Sequence, residues 1–293
     1  MNRIVVAGVV ALALAAPVMA QDDTRSGSRA ATPTGVVEVE NAAGAVRIVG
    51  WELDEVRYNA TLGRGAEDLL VAGGPGRLIF KVVVPRTARN IRGSDLLLHV
   101  PAGSRVEVNT VGAHVEISKL TGTANVETVS GTVTIDGAVR ETEVQSVSGF
   151  VKAIGLAGPA GVRTVSGGIE LEGVRGRLSA TTVSGDITAR GGLTARSTVQ
   201  TTSGRIRFEG DVASDASIEA KTVSGAVELA FPAAVAADFE LSSFSGDITS
   251  DFGPQPAQHS KPGPGVESSF TTGGGGARVR VRTFSGDIRL RKR

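Results

Sequence analysis

Apolar and polar residues alternate along most of this chain, in short segments that repeat about every 20 residues. The repeated unit is T-V-S-G-x-[VI], as in Thr164–Ile169. A β-branched residue follows each repeated Ser by three positions, and Val, Ala or Leu precedes it by four. Polar residues lie between these positions, which is the period-two alternation of a strand with one buried face. The pattern predicts two short strands per repeat, and no stretch after Ala20 shows the 3.6-residue period of a helix.

The Ser-Gly dipeptide defines the repeat, because it recurs eight times in register. The intervals are 18, 18, 18, 19, 21, 21 and 40 residues. The serines are Ser130, Ser148, Ser166, Ser184, Ser203, Ser224, Ser245 and Ser285. Periods near 20 are typical of solenoids, in which each coil buries its apolar face against its neighbours. We therefore predict an all-β fold, a single-stranded parallel β-solenoid with 18–21-residue coils, in which the 40-residue interval equals two coils.

Glycine and hydroxyl residues mark the corners of the predicted coils. The glycine of each Ser-Gly pair permits unusual backbone conformations or close approach between coils. A second glycine column indicates the opposite corner, and it contains Gly137, Gly155, Gly173, Gly191 and Gly210. A Thr or Ser stands two residues before each repeated Ser. We expect these hydroxyl groups to form a stacked ladder.

The chain divides into four segments on this basis. Residues 1–20 have a positive first segment, a thirteen-residue apolar stretch and a small-residue cleavage site, which predict a secretory signal peptide. Residues 21–35 are small, polar and aperiodic, so we expect a flexible leader. Residues 36–293 form the predicted solenoid, with a Pro/Gly-rich loop at about 253–276. No later stretch approaches 18 apolar residues, so no transmembrane span is expected after cleavage.

Weaker repeats extend toward the N-terminus and carry a family resemblance. Val36–Trp51 has the pattern V-x-V-x-N-x-x-G-x-V-x-I-x-G-W, and Val-Pro corners follow at residues 84–85 and 100–101. Val111-Gly112 then occupies the place of the later Val-Ser-Gly. This order resembles the exported bacterial β-strand-repeat proteins of the putative-adhesin family, which contain a domain of unknown function. The resemblance covers roughly residues 36–293; it implies a right-handed β-helix and no catalytic residue.

Composition excludes several classes of chemistry. The chain has no Cys, which removes disulfides, thiolate metal sites and thiol nucleophiles, and it has three His. Charge is balanced, with 31 Lys and Arg against 30 Asp and Glu, which argues against a nucleic-acid partner. A residue repeated eight times in register has a structural role, so we do not predict the Ser-Gly serines to be nucleophiles.

Three groups of polar residues are candidates for binding. Asp186, Asp247 and Asp287 follow Ser-Gly and suggest a calcium ladder, although most coils lack an acid there and a turn role is favoured. His114 and Glu116 share one strand face, so a zinc site with His99 is conceivable, but isolated surface histidines are commoner. His259 falls in the Pro/Gly-rich loop, where we expect it to be solvated.

Aromatic residues and arginines add two further features. Trp51 and Tyr58 are too few to indicate a sugar platform and are compatible with core positions. In residues 277–293, arginines alternate with Val, Ile and Leu, so one strand face is basic. Two interpretations are open: attachment to anionic envelope polymers, or charge that protects the backbone of a last, unpaired coil from end-to-end stacking.

We therefore predict an exported, non-enzymatic β-solenoid of the bacterial cell envelope that serves adhesion or binding. The predicted location is the periplasm or the cell surface, and the expected partner is an envelope polysaccharide or an envelope protein. We predict no catalytic, metal-binding or cofactor-binding residue and no cofactor. The alternatives are a carbohydrate-active enzyme on a β-helix scaffold and a structural assembly protein that contacts an envelope partner.

Overall fold

The computed structural model describes residues 23–85, 92–191, 196–253 and 265–293, which form 24 β-strands. The predicted signal peptide at residues 1–20, His259 and most of the Pro/Gly-rich loop lie outside the described residues. Within the described ranges, no helix has the length and apolar character needed to cross a bilayer.

The strands fall into three groups along the chain. The N-terminal strands are β1 (Asp23–Ala30), β2 (Val36–Trp51), β3 (Glu55–Leu62), β4 (Asp68–Gly74), β5 (Arg77–Val83), β6 (Ser94–Pro101) and β7 (Arg105–Ser118). The central strands are β8 (Thr123–Thr128), β9 (Val133–Asp136), β10 (Glu141–Ser146), β11 (Val151–Ile154), β12 (Ala160–Thr164), β13 (Ile169–Glu172), β14 (Leu178–Thr182), β15 (Ile187–Arg190), β16 (Arg196–Thr201), β17 (Ile206–Glu209), β18 (Ser217–Ser224) and β19 (Val227–Phe231). The C-terminal strands are β20 (Ala237–Ser245), β21 (Ile248–Ser250), β22 (Val266–Thr272), β23 (Ala277–Ser285) and β24 (Ile288–Lys292).

Each central coil supplies one strand to each of two parallel stacks, which we call the front sheet and the back sheet. The front sheet contains β8, β10, β12, β14, β16 and β18, paired in that order. The back sheet contains β9, β11, β13, β15, β17 and β19. The long strands β2 and β7 pass through both sheets and pair in parallel along their length. The predicted parallel solenoid with two strands per coil is confirmed.

The apolar columns of the sequence fill the space between the sheets. Val126, Val144 and Val162 of the front sheet are at most 1% exposed. Val133, Val151 and Ile169 of the back sheet are buried equally well. A core of small β-branched residues suits this fold, because every coil must present the same thickness to the coils on either side. The C-terminal end differs, since the rings of Phe231, Phe239, Phe252 and Phe270 pack on one another there.

The corner glycines lie where the backbones of successive coils approach most closely. A Cβ atom on Gly167 would lie 1.8 Å from the carbonyl oxygen of Gly149, and one on Gly185 would lie 2.0 Å from that of Gly167. At the opposite corner, Gly137, Gly155, Gly173 and Gly191 adopt positive φ. The Ser-Gly column therefore permits the predicted close approach, and the second column marks the predicted opposite corner, where Gly210 instead approaches the Gly191 carbonyl closely.

The Thr and Ser residues of the hydroxyl column are buried. Their hydroxyl groups bond mainly to the backbone of the corner and seldom to one another. Thr164 and Thr182 have hydroxyl groups 2.8 Å apart, and both reach the Gly167 carbonyl. Ser146 instead accepts a hydrogen bond from the Gly149 N–H. In the part of the chain that is described, the hydroxyl groups of Thr110, Thr222 and Thr283 have no hydrogen-bond partner. The expected continuous ladder is therefore replaced by hydrogen bonds to the corner backbone.

The C-terminal coils do not stack in the order of the sequence. Strand β23 pairs with β18 on one side and with β20 on the other, and β24 lies between β19 and β21. The coil of Ser285 therefore lies between the coils of Ser224 and Ser245. The expectation that the 40-residue interval spans two coils along the stack is wrong, because the chain passes outward to β20–β22 and then returns.

One set of charges favours the inserted position of β23, although the same register also places Lys221 opposite Arg282. Glu219 and Glu240 both lie opposite Arg280, one on each side. Stacking in sequence order would place Glu219 directly opposite Glu240, which is unfavourable for like charges. The coil of β23 and β24 is therefore not a last, unpaired coil, and the idea that its arginines protect a free edge is wrong.

The N-terminal coils are also interleaved. Strand β2 lies between β7 on one side and both β5 and β6 on the other, and all of these pairings are parallel. Antiparallel strands complete this end, with β4 on β5, β3 on β6, and β1 on β3. Arg77 of β5 lies within 4 Å of the carboxylates of Glu38 and Glu107 on β2 and β7. The coil of β2 is the first complete coil in the sequence, and the coil of β23 and β24 is the last. Each of them is the second coil from an end of the stack.

Two predicted irregular segments contain strands. The leader at residues 21–35 is not flexible over Asp23–Ala30, because this segment pairs along its whole length with β3, and Gly27 lies against the Tyr58 ring. The sequence of this segment is polar and lacks the apolar alternation that would predict a strand, which agrees with the exposure of most of its side chains. The Pro/Gly-rich loop at 253–276 contains β22, which pairs antiparallel with β20, and residues 273–276 form the turn that follows.

Replacing a corner glycine tests the close stacking of coils. We expect Gly167→Ala to lower the free energy of unfolding by about 3 kcal/mol, because the added methyl group must displace the Gly149 backbone. The measurement is the urea unfolding midpoint. The control is Gly76→Ala, since a Cβ atom there would meet nothing within 4 Å. Equal midpoints for the two variants would contradict the close approach.

Engineered disulfides test the coil order, and the absence of native Cys makes the experiment clean. Ser285 is the partner of both Ser224 and Ser245 in adjacent parallel strands. Adjacent strands lie about 4.8 Å apart, within the range that a disulfide spans. We expect S224C/S285C and S245C/S285C to form intramolecular disulfides on oxidation, and S224C/S245C to form none. A disulfide in the last variant, detected by mass spectrometry, would show stacking in sequence order.

Candidate binding surface

One corner of the solenoid exposes a straight row of apolar side chains. The residue before each repeated Ser points outward, and its valine and phenylalanine side chains are between 46% and 56% exposed. We call this row the corner ridge. In spatial order it contains Val111, Val129, Val147, Val165, Val183, Thr202, Val223, Phe284 and Phe244. Nine residues at about 4.8 Å per coil make a ridge about 38 Å long.

The ridge arises from the same corner geometry that buries its neighbours. The Thr or Ser that precedes each ridge residue in the sequence points into the core. Because successive side chains of an extended strand alternate, the ridge residue points outward. The ridge backbone is held by the following coil, since Ser148 donates its N–H to the carbonyl of Val129, and Ser166 donates to that of Val147. At the C-terminal end, the rings of Phe244 and Phe284 stack with centroids 4.7 Å apart. The ridge is therefore rigid and continuous.

A shallow groove runs beside the ridge on the front sheet, and we call it the front groove. It consists of three adjoining cavities of about 350, 560 and 540 Å³. Asn109 and Thr110 line the first two, and Thr181 lines the last two. The floor is polar, and it contains Glu40, Asn109, Glu127, Gln145, Arg163, Thr181, Gln200, Lys221, Arg282 and Ser242. An apolar wall beside a polar floor is suited to binding an extended partner.

The charges on the groove floor are distributed unevenly. At the N-terminal end, Glu40 pairs with Lys81. Further along, Arg163 pairs with Glu143, and Lys221 with Glu219. Glu127 and Arg282 are different: both are exposed, and neither has an ion-pair partner within 4 Å among the described residues. The groove therefore has one acid without an ion pair toward one end and one base without an ion pair toward the other, where the charge of Arg282 also helps to lower the pKa of Glu219 and Glu240.

Several arginines of residues 277–293 are occupied by acids of neighbouring coils. Arg280 pairs with Glu240, Arg289 with Asp287 and Glu228, and Arg293 with Asp211. Hydrogen bonds from Arg207 and Arg280 lower the pKa of Glu228 and Glu240, respectively, and one from Lys221 lowers the pKa of Glu219. Part of the basic face that the sequence indicates is therefore neutralised within the fold, whereas Arg278, Arg282, Arg291 and Lys292 have no ion pair within 4 Å among the described residues.

The structure gives the candidate polar residues structural roles. Asp186 accepts a hydrogen bond from the Arg205 N–H of the next coil, and Asp287 accepts one from the Asp247 N–H. Both bonds join the Asp side chain to the backbone of a neighbouring coil rather than to its own turn, so the observed role is a contact between coils and not the favoured turn role. The repeated serines continue the backbone ladder around the corner. Among the described residues, no group of three or more His, Asp or Glu is arranged to hold a metal ion.

The residues considered as zinc ligands do not come together. Strand β2 lies between them, with His99 opposite Val49 and His114 opposite Ala45. Glu116 forms an ion pair with Arg47.

The two large aromatic residues are packed at the N-terminal end. Trp51 contacts the His99 ring and lies under the Arg57 guanidinium, with centroid distances of 5.3 and 5.0 Å. Tyr58 packs on Phe80, which is fully buried. Both rings are partly exposed, and neither belongs to the ridge.

Neighbouring carboxylates are bridged by cations. Glu170 and Glu172 both lie near Lys152 and Arg190. A general acid in glycoside hydrolysis needs a raised pKa, whereas the carboxylate pKa shifts resolved in the described residues are all downward.

The fold and this surface define a class: a two-sheet parallel β-solenoid with an exposed apolar corner. The family model for Toastrack DUF4097 matches residues 76–211 and 192–291, which together cover well over half of the chain. The protein therefore belongs to the Toastrack DUF4097 family.

Solved structures titled as adhesins show low similarity to the chain. A putative adhesin from Bacteroides fragilis is 10% identical, with a TM-score of 0.39 and coverage of 92% of this chain and 98% of that chain. A putative adhesin from Parabacteroides distasonis is 8% identical, with a TM-score of 0.36 and the same coverage. A putative cell adhesion protein from Clostridium sporogenes is 8% identical, with a TM-score of 0.21 and coverage of 92% and 100%. No curated protein matches the chain.

The ion pair between Glu228 and Arg207 predicts acid sensitivity. Because the folded pKa of Glu228 is lowered from its ordinary value of 4.5, the pair stabilises the protein above that pH, and this contribution is lost as the pH falls through the folded pKa. We expect Glu228→Gln to reduce stability at neutral pH and to make unfolding less dependent on pH in the acid range. The measurement is the thermal unfolding midpoint between neutral pH and about pH 3. Identical pH profiles for the variant and the parent would contradict this role.

Proposed function

We propose that this protein is an exported, non-enzymatic binding module of the bacterial cell envelope, and that it binds its partner through the corner ridge and the front groove. The main observation that supports this proposal is the row of half-exposed Val and Phe side chains along one corner. Contiguous exposed apolar surface is uncommon on a protein that has no partner, and it marks contact sites. The signal-peptide pattern of residues 1–20 supports export to the periplasm or the cell surface.

Two further observations support binding rather than catalysis. The neighbouring acids Glu170 and Glu172 lie on one strand, β13, and both are within 4 Å of Lys152 and Arg190, so cations occupy the space beside them that a substrate of an acid catalyst would need. The repeated Ser-Gly serines recur in register in eight coils, and their backbone N–H groups bond to the neighbouring coil, as at Ser148 and Ser166, which is a structural role common to all the coils. The function is therefore adhesion or docking, with a partner drawn from the envelope polysaccharides or proteins.

A single charge placed on the ridge tests this function. We expect Val183→Asp to weaken binding to whole cells or envelope polymers by about tenfold or more, because a carboxylate would have to be desolvated in the contact. The control is Thr188→Asp on the back sheet of the same coil, which leaves the ridge intact. Binding of the purified parent protein to cells, lipopolysaccharide and envelope polysaccharides is measured at low and high salt.

The salt dependence of binding distinguishes contact through the ridge from attachment by the exposed arginines. Contact through the ridge is apolar, so it survives high salt, whereas attachment by exposed arginines is screened. Binding that high salt abolishes, or that Val183→Asp leaves unchanged, would overturn the assignment of the ridge.

A further inference from the structure

The corner ridge and the front groove have an internal symmetry that the proposed function does not require. Val183 is the fifth of the nine ridge positions, so four ridge residues lie on each side of it, and beyond Val111 the stack continues with the coil of β2 and the coil of β5 and β6. Glu127 belongs to the coil of Val129, three coils toward one end. Arg282 belongs to the coil of Phe284, three coils toward the other end. The two groove charges without an ion pair are therefore placed symmetrically about Val183.

We propose that the partner of the ridge is a second copy of this chain, docked antiparallel about a two-fold axis through Val183. This proposal rests on the use of the ridge as a contact surface and names its partner. The axis places Glu127 of each copy beside Arg282 of the other, so the same ion pair forms twice. A two-fold contact needs this kind of self-complementary surface.

The apolar residues match in the same arrangement. The two-fold axis places Val129 opposite Phe284, and Val111 opposite Phe244 of the second copy. The two phenylalanines, which are the bulkiest ridge residues, therefore face valines rather than each other. Gln145 faces Lys221, and Arg163 faces Gln200, so no like charges meet on the groove floor. A parallel two-fold arrangement would instead place the two front grooves on opposite sides of the contact, so Glu127 and Arg282 would gain no partner from the second copy.

The size of the surface is sufficient for a stable dimer. The ridge is about 38 Å long, and the strand beside it adds a width of about 17–20 Å. A strip of these dimensions covers about 700 Å² on each copy, close to the roughly 800 Å² per partner of an ordinary specific interface. Its centre is apolar and rigid, and its charged groups lie to one side, as in interfaces with an apolar core and a polar rim.

The test is a charge swap measured by sedimentation of the purified chain. We expect Glu127→Arg and Arg282→Glu each to weaken dimerisation by about tenfold or more, because each creates two like-charge contacts per dimer. The double variant E127R/R282E restores both pairs with reversed polarity and recovers dimerisation. The matched controls are Glu209→Arg and Arg291→Glu, which reverse exposed charges on the back sheet and leave dimerisation unchanged.

A cysteine on the axis tests the register independently. We expect V183C to form a disulfide-linked dimer on oxidation, because Val183 meets its own copy there. V129C lies three coils from the axis, about 14 Å along the ridge, and forms no such dimer. Crosslinking of V129C instead of V183C, or failure of the double charge swap to restore dimerisation, would overturn the antiparallel register.

The outcomes distinguish this proposal from the proposed function. A parent protein that stays monomeric at high micromolar concentration overturns self-association. If such a monomer binds acidic polysaccharide or cells and Val183→Asp removes that binding, the ridge is a contact surface for a different partner. If the dimer forms as described and the protein binds no envelope component, self-association stands and the proposed binding to other envelope components fails.

Discussion

The structure depends on the in-register stacking of backbones at the Ser-Gly corner. At this corner the glycine of one coil approaches the carbonyl of the preceding glycine so closely that a Cβ atom has no room, as at Gly167 and Gly149. Each coil therefore copies the path of its neighbour, and every residue column continues in a straight line. The buried Val and Ile columns, the hydroxyl column and the exposed ridge all follow from this repetition. A repeat that stacks in this way gains stability from nearest-neighbour contacts.

Regular stacking creates a problem at the two ends, and the fold resolves it by interleaving coils. A solenoid that simply stops exposes two strand edges, which are templates for association with other chains. Here the outermost parallel strands carry antiparallel strands in the front sheet at both ends, β4 on β5 and β22 on β20. At the C-terminal end, the coil of β23 and β24 lies between the coil of β18 and β19 and the coil of β20 and β21. Arg280 then lies between Glu219 and Glu240, so the inserted coil also separates these two acidic side chains.

The candidate surface is a consequence of the corner rather than of a specialised loop. The backbone alternation that buries Thr164 must expose Val165, and the same holds in each coil. What distinguishes this surface from an ordinary solvated face is the apolar character of the ridge and the unpaired charges of Glu127 and Arg282. Neighbouring charges such as Arg163 and Lys221 already have partners within the fold. The residues available for intermolecular contacts are therefore few, and their positions define an orientation.

The repeating unit of this fold is encoded in local sequence patterns. The spacing of Ser-Gly predicted the coil length, the alternation predicted two strands per coil, and the glycines predicted the corners, because these are local properties repeated in register. The order of the coils was decided only in the tertiary structure, since nothing local to β23 states that it lies between β18 and β20. The same applies to Asp23–Ala30, which is a strand only because β3 offers it an edge. The candidate ridge was visible as the Val of T-V-S-G, but its exposure depends on which way the corner turns. Glu127 and Arg282 each lie three coils from Val183, on opposite sides of it. This symmetry depends on the interleaved coil order, so only the complete tertiary structure shows it.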